Sequence, residues 1–177
     1  MNLDLGGTND VIRKIGEDEG EIGLVYNPPQ EPKLVSSAIK RQPMMAIIGP
    51  KFPRKGIRAL SVHDLAKYPL AVTHASYGTR QMLQAVEYAE KLRLDPVVTT
   101  NSIAIVKQFV KSGLGITVLP AFAVTTEMEA SELFAVDITH PILADAEAHL
   151  VTRAGRRLSV ASNKMMQLMT AQMRAFR

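Results

Sequence analysis

PVVTTNSIAIVKQFVKSGLGITVLP, residues Pro96–Pro120, decides how the chain folds. Val97 and Val98 are β-branched and suit a buried strand. Asn101 and Ser102 follow, and either side chain can accept from an orphan N–H at a helix start. Ile105, Val106, Phe109 and Val110 then recur at helical spacing and define one apolar face. Gly113 stands where a left-handed C-terminal cap is needed. Ile116, Val118 and Leu119 predict a second strand, which Pro120 stops. A strand, a helix and a strand with such short joints imply parallel pairing in a sheet covered by helices. The chain is therefore expected to be α/β.

The rest of the chain repeats that alternation. Leu3 and Leu5 alternate as in a strand, and Thr8 or Asn9 can cap a helix carrying Val11, Ile12 and Ile15. Glu21–Tyr26 predicts the next strand. Asn27–Pro32 is a turn or loop, and Leu34–Ile39 and Met44–Ile48 are extended runs. A basic loop spans Gly49–Gly56, and Ser61–Leu65 predicts a short capped helix. Leu70–Val72 predicts a strand, and Ser76–Thr79 turns into a helix over Arg80–Arg93. That helix is expected to carry Met82, Val86 and Ala89 on one stripe and to pair Glu87 with Lys91. A helical segment near Phe122–Met128 precedes strands at Leu133–Val136 and Ala148–Thr152. A last helix over Ser159–Phe176 carries Met165, Leu168 and Met169.

Composition narrows the function classes. The chain has 177 residues, enough for one domain or two small lobes. Charged residues make up 21% and the formal net charge is only +4, with basic residues scattered apart from Lys51–Arg58 and Arg153–Arg157. That reads as a solvated basic surface rather than a nucleic-acid face. No window reads as a membrane span or a signal peptide. Cysteine is absent, which excludes disulfides and thiolate metal ligands. A cytoplasmic protein is expected.

Several residue groups could carry chemistry. Gly113-Leu114-Gly115 lacks the third glycine and the strand-before, helix-after context of a dinucleotide loop, so it reads as a helix stop. Asp145, Glu147 and His149 alternate and would share one face of a strand, where they could hold zinc; a solvent-facing strand is the plainer account. His74 and Ser76 are close in sequence but have no third partner, so nucleophilic catalysis is not supported.

Thr73-His74-Ala75-Ser76-Tyr77-Gly78-Thr79 differs in kind. It leaves the C-terminal end of a strand and enters a helix N-terminus, a joint where open α/β sheets bind ligands. Free N–H groups and the helix dipole favour an anion there. The Gly7-Thr8-Asn9 and Thr100-Asn101-Ser102 joints share that architecture. Each alone reads as a helix cap, and together they suggest a shared pocket.

In order and spacing, these motifs resemble the effector-binding domain of LysR-type transcriptional regulators. Gly7-Thr8 followed by Glu21-Ile22-Gly23-Leu24 is similar to the family's strand, helix and strand. Ser61-Val62-His63-Asp64-Leu65, Tyr68-Pro69-Leu70 and Ser76-Tyr77-Gly78-Thr79-Arg80 match its middle signals. Asn101-Ser102, Val110–Ile116, Leu119-Pro120 and Arg156-Arg157-Leu158-Ser159 match its later ones. The resemblance implies two Rossmann-like lobes joined by crossing strands, as in type 2 periplasmic binding proteins. The crossings are expected near Arg41–Ile48 and Glu147–Arg153. One lobe would comprise residues 1–42 with 152–177, the other 43–151.

The resemblance also implies a small anionic effector in the cleft between lobes, contacted by Thr8, Ser76, Tyr77, Gly78, Thr79, Asn101 and Ser102. No cofactor and no enzymatic activity are expected. A homodimer or tetramer is expected, with DNA contacted only through an N-terminal winged helix-turn-helix that this sequence does not contain. The family's first strand and helix also have no counterpart here. Two alternatives remain: a solute-binding protein of the same fold, and a small metal-dependent α/β enzyme using Asp145, Glu147 and His149.

Overall fold

The computed structural model describes residues 2–53 and 56–175. Arg54 and Lys55 of the basic loop, and Phe176 of the last expected helix, lie outside the described residues. The elements run α1 (Thr8–Gly16), β1 (Gly23–Tyr26), β2 (Leu34–Arg41), β3 (Met44–Ile48), β4 (Ala59–Leu60) and α2 (Val62–Leu65). They continue as β5 (Leu70–Thr73), α3 (Gly78–Ala89), β6 (Val98–Thr100), α4 (Ile103–Lys111) and β7 (Ile116–Pro120). A 3₁₀ turn (Ala121–Val124), α5 (Thr125–Glu129), β8 (Phe134–Ile138), α6 (Pro141–Ala144), β9 (Glu147–Arg153) and α7 (Val160–Ala175) complete the chain.

The elements form two compact units. The first comprises Met1–Arg41, Ser76–Gly78 and Glu147–Arg177; the second comprises Gln42–Ala75 and Thr79–Ala146. In the first unit, β9 lies between β1 and β2 and pairs antiparallel with both. Ile15 of α1 packs on Val25 and Val151, with Val11, Ile12 and Leu34 around them. Burying each such side chain stabilises the unit by about 1.5–3 kcal/mol. The periodicity of α1 therefore faces the sheet as its sequence requires.

The second unit holds a six-stranded sheet in the order β4-β8-β3-β7-β5-β6. β6 and β7 of the sequence-predicted module both pair parallel with β5, which lies between them, and β4 pairs parallel with β8. β3 runs antiparallel to β7 and β8, so the sheet is mixed. All five residues of β7 are buried, as expected for a strand with helices over it. Val106 and Val110 of α4 pack with Ile47, Ala71 and Leu119. Gly113 closes α4 at φ +75°, the left-handed conformation in which a side chain is strained.

Several expectations are corrected. Residues 3–5 form no strand: no described strand pairs with them, and Leu3 and Leu5 are 83% and 93% exposed. Gly7, not Thr8 or Asn9, is the N-cap of α1, and Asp10 Oδ2 reaches back to accept its amide at 3.3 Å. Strand β1 begins at Gly23 rather than Glu21, and the Glu21 side chain bonds Ser159 and Ser162.

Helix α3 starts and stops earlier than expected. Glu87 bonds Arg80 at 2.8 Å and the Leu94 amide at 2.8 Å instead of pairing with Lys91, which sits beyond the helix at φ +49°. Its buried stripe is Met82, Leu83 and Val86, while Ala89 is exposed. In α4, Ile105 faces outward, and in α7, Leu168 does. Only some apolar positions on a helix stripe find a partner surface, and periodicity alone does not say which. Two short elements, β4 and α6, carried no pattern long enough to read.

Candidate functional site

The first joint is built around Thr8. Its hydroxyl accepts from the Gly78 amide at 3.0 Å and donates to the Tyr26 carbonyl at 3.3 Å. The Asn9 amide donates to the Ser76 carbonyl at 3.3 Å. The start of α1, the end of β1 and Ser76–Gly78 are thereby laced together within the first unit. Gly78 permits this: a Cβ there would lie 1.8 Å from the Tyr26 carbonyl oxygen. Burial holds the Tyr26 phenol well above its ordinary pKa, so it stays protonated.

Thr8 is only 6% exposed, and its hydroxyl both donates to and accepts from the protein's own backbone. Its observed work is to hold the Ser76–Gly78 loop. Ser76 and Tyr77 are half-buried, whereas Gly78 is buried at the first position of α3.

The remaining joints meet in the second unit. Parallel strands β5 and β6 align Thr73 with Thr100 at their C-terminal ends. Each strand then runs into a helix, β5 into α3 and β6 into α4. The His74 amide donates to the Thr100 carbonyl at 2.9 Å, which ties the two joints side by side. Thr79 is buried, and its hydroxyl bonds that of Thr73 at 2.8 Å. Gln81 Nε2 donates to the Ala75 carbonyl at 3.2 Å and braces the loop from the helix side.

Of the two cap candidates in the sequence, Ser102 rather than Asn101 caps α4, accepting from the Ile105 amide at 3.4 Å. Its own amide donates to Thr100 Oγ1 at 3.1 Å. Asn101 is exposed at the tip of that joint. Two adjacent helix starts with hydroxyl side chains on neighbouring parallel strands suit a small anion, because the dipoles of both helices place partial positive charge there.

Gln81 and the Tyr26 carbonyl support these joints without a sequence signal, and Thr73 and Thr100 are legible only as joint residues, not as partners of Thr79, Ser102 and each other. A threonine closing a strand has no distinguishing local pattern. Only strand register brings Thr73 and Thr100 together.

The proposed metal ligands do not assemble. Asp145 ends α6, and only Glu147 and His149 lie on β9. His149 Nε2 bonds Glu147 Oε2 at 3.2 Å, and its Nδ1 bonds Ser36 Oγ at 2.9 Å. Among the described residues no group of three metal-ligating side chains occurs, and no helix is long and apolar enough to cross a membrane.

A family profile described as the LysR substrate binding domain matches residues 1–174. The RuBisCO operon transcriptional regulator of Allochromatium vinosum is 27% identical over 164 residues, covering 92% of this chain and 53% of that protein. The chain spans about half the length of the curated relatives it matches. Among solved structures, the Synechocystis CcmR regulatory domain in complex with 2-PG aligns with a TM-score of 0.78 at 21% identity, covering 94% of this chain and 80% of that one. The effector binding domain of QuiR in complex with shikimate aligns with a TM-score of 0.77 at 14% identity, covering 96% and 79%. At these identities the structural likeness speaks to fold alone.

Proposed function

Because the chain belongs to the LysR substrate binding domain family, we propose that it is the effector-sensing part of a transcriptional regulator. Its ligand is a small anionic metabolite. Ser76, Tyr77, Gly78, Thr79, Asn101 and Ser102 supply the binding groups, and Thr8 acts by holding the loop that carries three of them. The observation that carries this reading is the pair of adjacent helix starts at the ends of β5 and β6, bridged by the His74 amide. The 2-PG and shikimate in the CcmR and QuiR structures are ligands of that class.

An effector shifts a conformational equilibrium only by the difference between its affinities for the two states. In the intact protein that shift would change how paired DNA-binding domains meet their operator. DNA contact, a dimeric or tetrameric assembly and a cytoplasmic location belong to this proposal. So does the absence of catalysis: the family is one of regulators, and neither joint contains a nucleophile activated by a base. The metal-dependent enzyme loses its basis with the separation of Asp145 from Glu147 and His149 in the fold's elements.

Thermal-shift titration of the chain with 2-PG, shikimate and a panel of organic acids tests the proposal. A saturable rise in Tm is expected for at least one anion, and Ser76→Ala and Asn101→Ala are expected to reduce it. A ligand that stabilises both variants as fully as the parent would place the site elsewhere.

A further inference from the structure

Residues Arg156-Arg157-Leu158-Ser159-Val160 lie between the turn at Gly155 and the first turn of α7. The backbone over Arg156–Ser159 is neither helix nor strand. Arg157 and Ser159 are exposed, and Val160 is 76% exposed. Arg157 forms no ion pair with a described residue. Two arginines at the third and second positions before a serine, and an apolar residue after it, form the pattern that basophilic protein kinases read with paired carboxylates and an apolar groove. Sequence, exposure and irregular backbone coincide at this one serine.

We propose that Ser159 is a phosphorylation site for a basophilic serine kinase and that modification releases a clasp on α7. The Ser159 hydroxyl attacks the terminal phosphorus of a nucleoside triphosphate. The bond from that phosphorus to the bridging oxygen breaks, the nucleoside diphosphate leaves, and the hydroxyl proton passes to the kinase's own base.

The clasp is made by Glu21. Its Oε2 accepts from Ser159 Oγ at 3.1 Å and from the Ser162 hydroxyl, and its Oε1 accepts from the Ser159 amide at 3.4 Å. Arg156 holds the same corner through Asp18 Oδ1 at 2.6 Å and the Gly20 carbonyl at 3.2 Å. These bonds join the α1–β1 turn to the start of α7 within the first unit. Ser159 also caps α7, accepting the Ser162 amide at 3.2 Å.

A phosphoryl group brings close to two negative charges and three acceptor oxygens. At Ser159 it would stand against the Glu21 carboxylate, and the two repel. The N-terminus of α7 and Arg156 attract it. Phosphorylation thus replaces the Glu21 clasp with a helix-terminal phosphate, loosening the corner without unwinding α7.

The chain is incubated with ATP and a basophilic serine kinase, and the site is located by fragment mass spectrometry. Modification at Ser159 is expected, with none in Ser159→Ala and slowed transfer in Arg157→Ala. The phosphorylated chain is expected to melt below the unmodified one, and the Glu21→Gln variant is expected to lose that drop on phosphorylation. The proposal is overturned if Ser159 stays unmodified while a free peptide of the same five residues is fully converted. It is also overturned if phosphorylation lowers Tm equally with and without the Glu21 carboxylate.

Discussion

Thr8 Oγ1 receives the Gly78 amide at 3.0 Å, across 70 positions of sequence. A single hydroxyl thereby fixes where the loop ends and α3 begins, and it returns its own proton to the Tyr26 carbonyl. Replacing Thr8 with valine keeps the shape but strands a buried amide and a carbonyl, which costs about 1–3 kcal/mol. Thr8→Ser is expected to retain most of the stability. Urea unfolding of both variants measures the difference. Equal stability of Thr8→Val and the parent would remove the hydroxyl from the account of this loop.

Gly78 is intolerant of any side chain. Gly78→Ala would drive a Cβ to 1.8 Å from the Tyr26 carbonyl oxygen, a backbone atom that cannot rotate away. The variant is expected to lose stability and effector response together. Gly16→Ala is its control, since no heavy atom lies within 4 Å of that Cβ. There the substitution is expected to be neutral or to stabilise by up to about 1 kcal/mol through a less flexible unfolded chain. Thermal melts check the contrast: Tm is expected to fall in Gly78→Ala and to hold or rise in Gly16→Ala.

Thr117 is the opposite case to Thr8. It is 1% exposed on β7, paired with Ile47 on one side and Ala71 on the other, and its hydroxyl has no hydrogen-bond partner. An unpaired hydroxyl in an apolar cluster costs about 1–3 kcal/mol. Thr117→Val is therefore expected to raise the urea midpoint at unchanged m-value. A fall would mean that the hydroxyl is satisfied in solution.

Lys107 and Glu127 form a largely shielded pair at 2.8 Å, with side-chain exposures of 22% and 14%. The hydrogen bond from Lys107 lowers the Glu127 pKa below its ordinary 4.5. A carboxylate with a depressed folded-state pKa contributes stability that is complete above the unfolded value. That contribution fades as pH falls from about 4.5 through the folded value. The Glu127→Gln variant is expected to be less stable than the parent near neutrality and to show a shallower loss below pH ~4.5. Parallel pH–stability curves for the two proteins would contradict this.

Much of the second unit was legible because its signals are short-range. The stop at Gly113, the Ser102 cap on α4 and the apolar run of β7 each depend on neighbours within about one helical turn or one strand. The Ser61–Asp64 capping pair on α2 was equally readable, and both of its reciprocal bonds form at 3.0 and 3.1 Å. The Leu3–Leu5 strand was misread for the complementary reason. Alternation marks a segment able to pair, but a strand exists only where a partner edge meets it.

The candidate site divides along the same line. Polar residues at three helix starts were legible as residue types, although only the two after β5 and β6 follow a strand. That Thr8 holds a loop, that Thr79 is spent on Thr73 and that His74 reaches Thr100 were not. The sequence by itself determined the periodicities, the caps and the breaks, because these arise from backbone hydrogen bonds closed within a few residues. The tertiary structure alone decided that β5 sits between β6 and β7, that Glu21 clasps the start of α7, and that Thr8 meets Gly78. Those contacts join segments far apart in the chain, and the free energy that selects them comes from burying whole faces together, which no local pattern records.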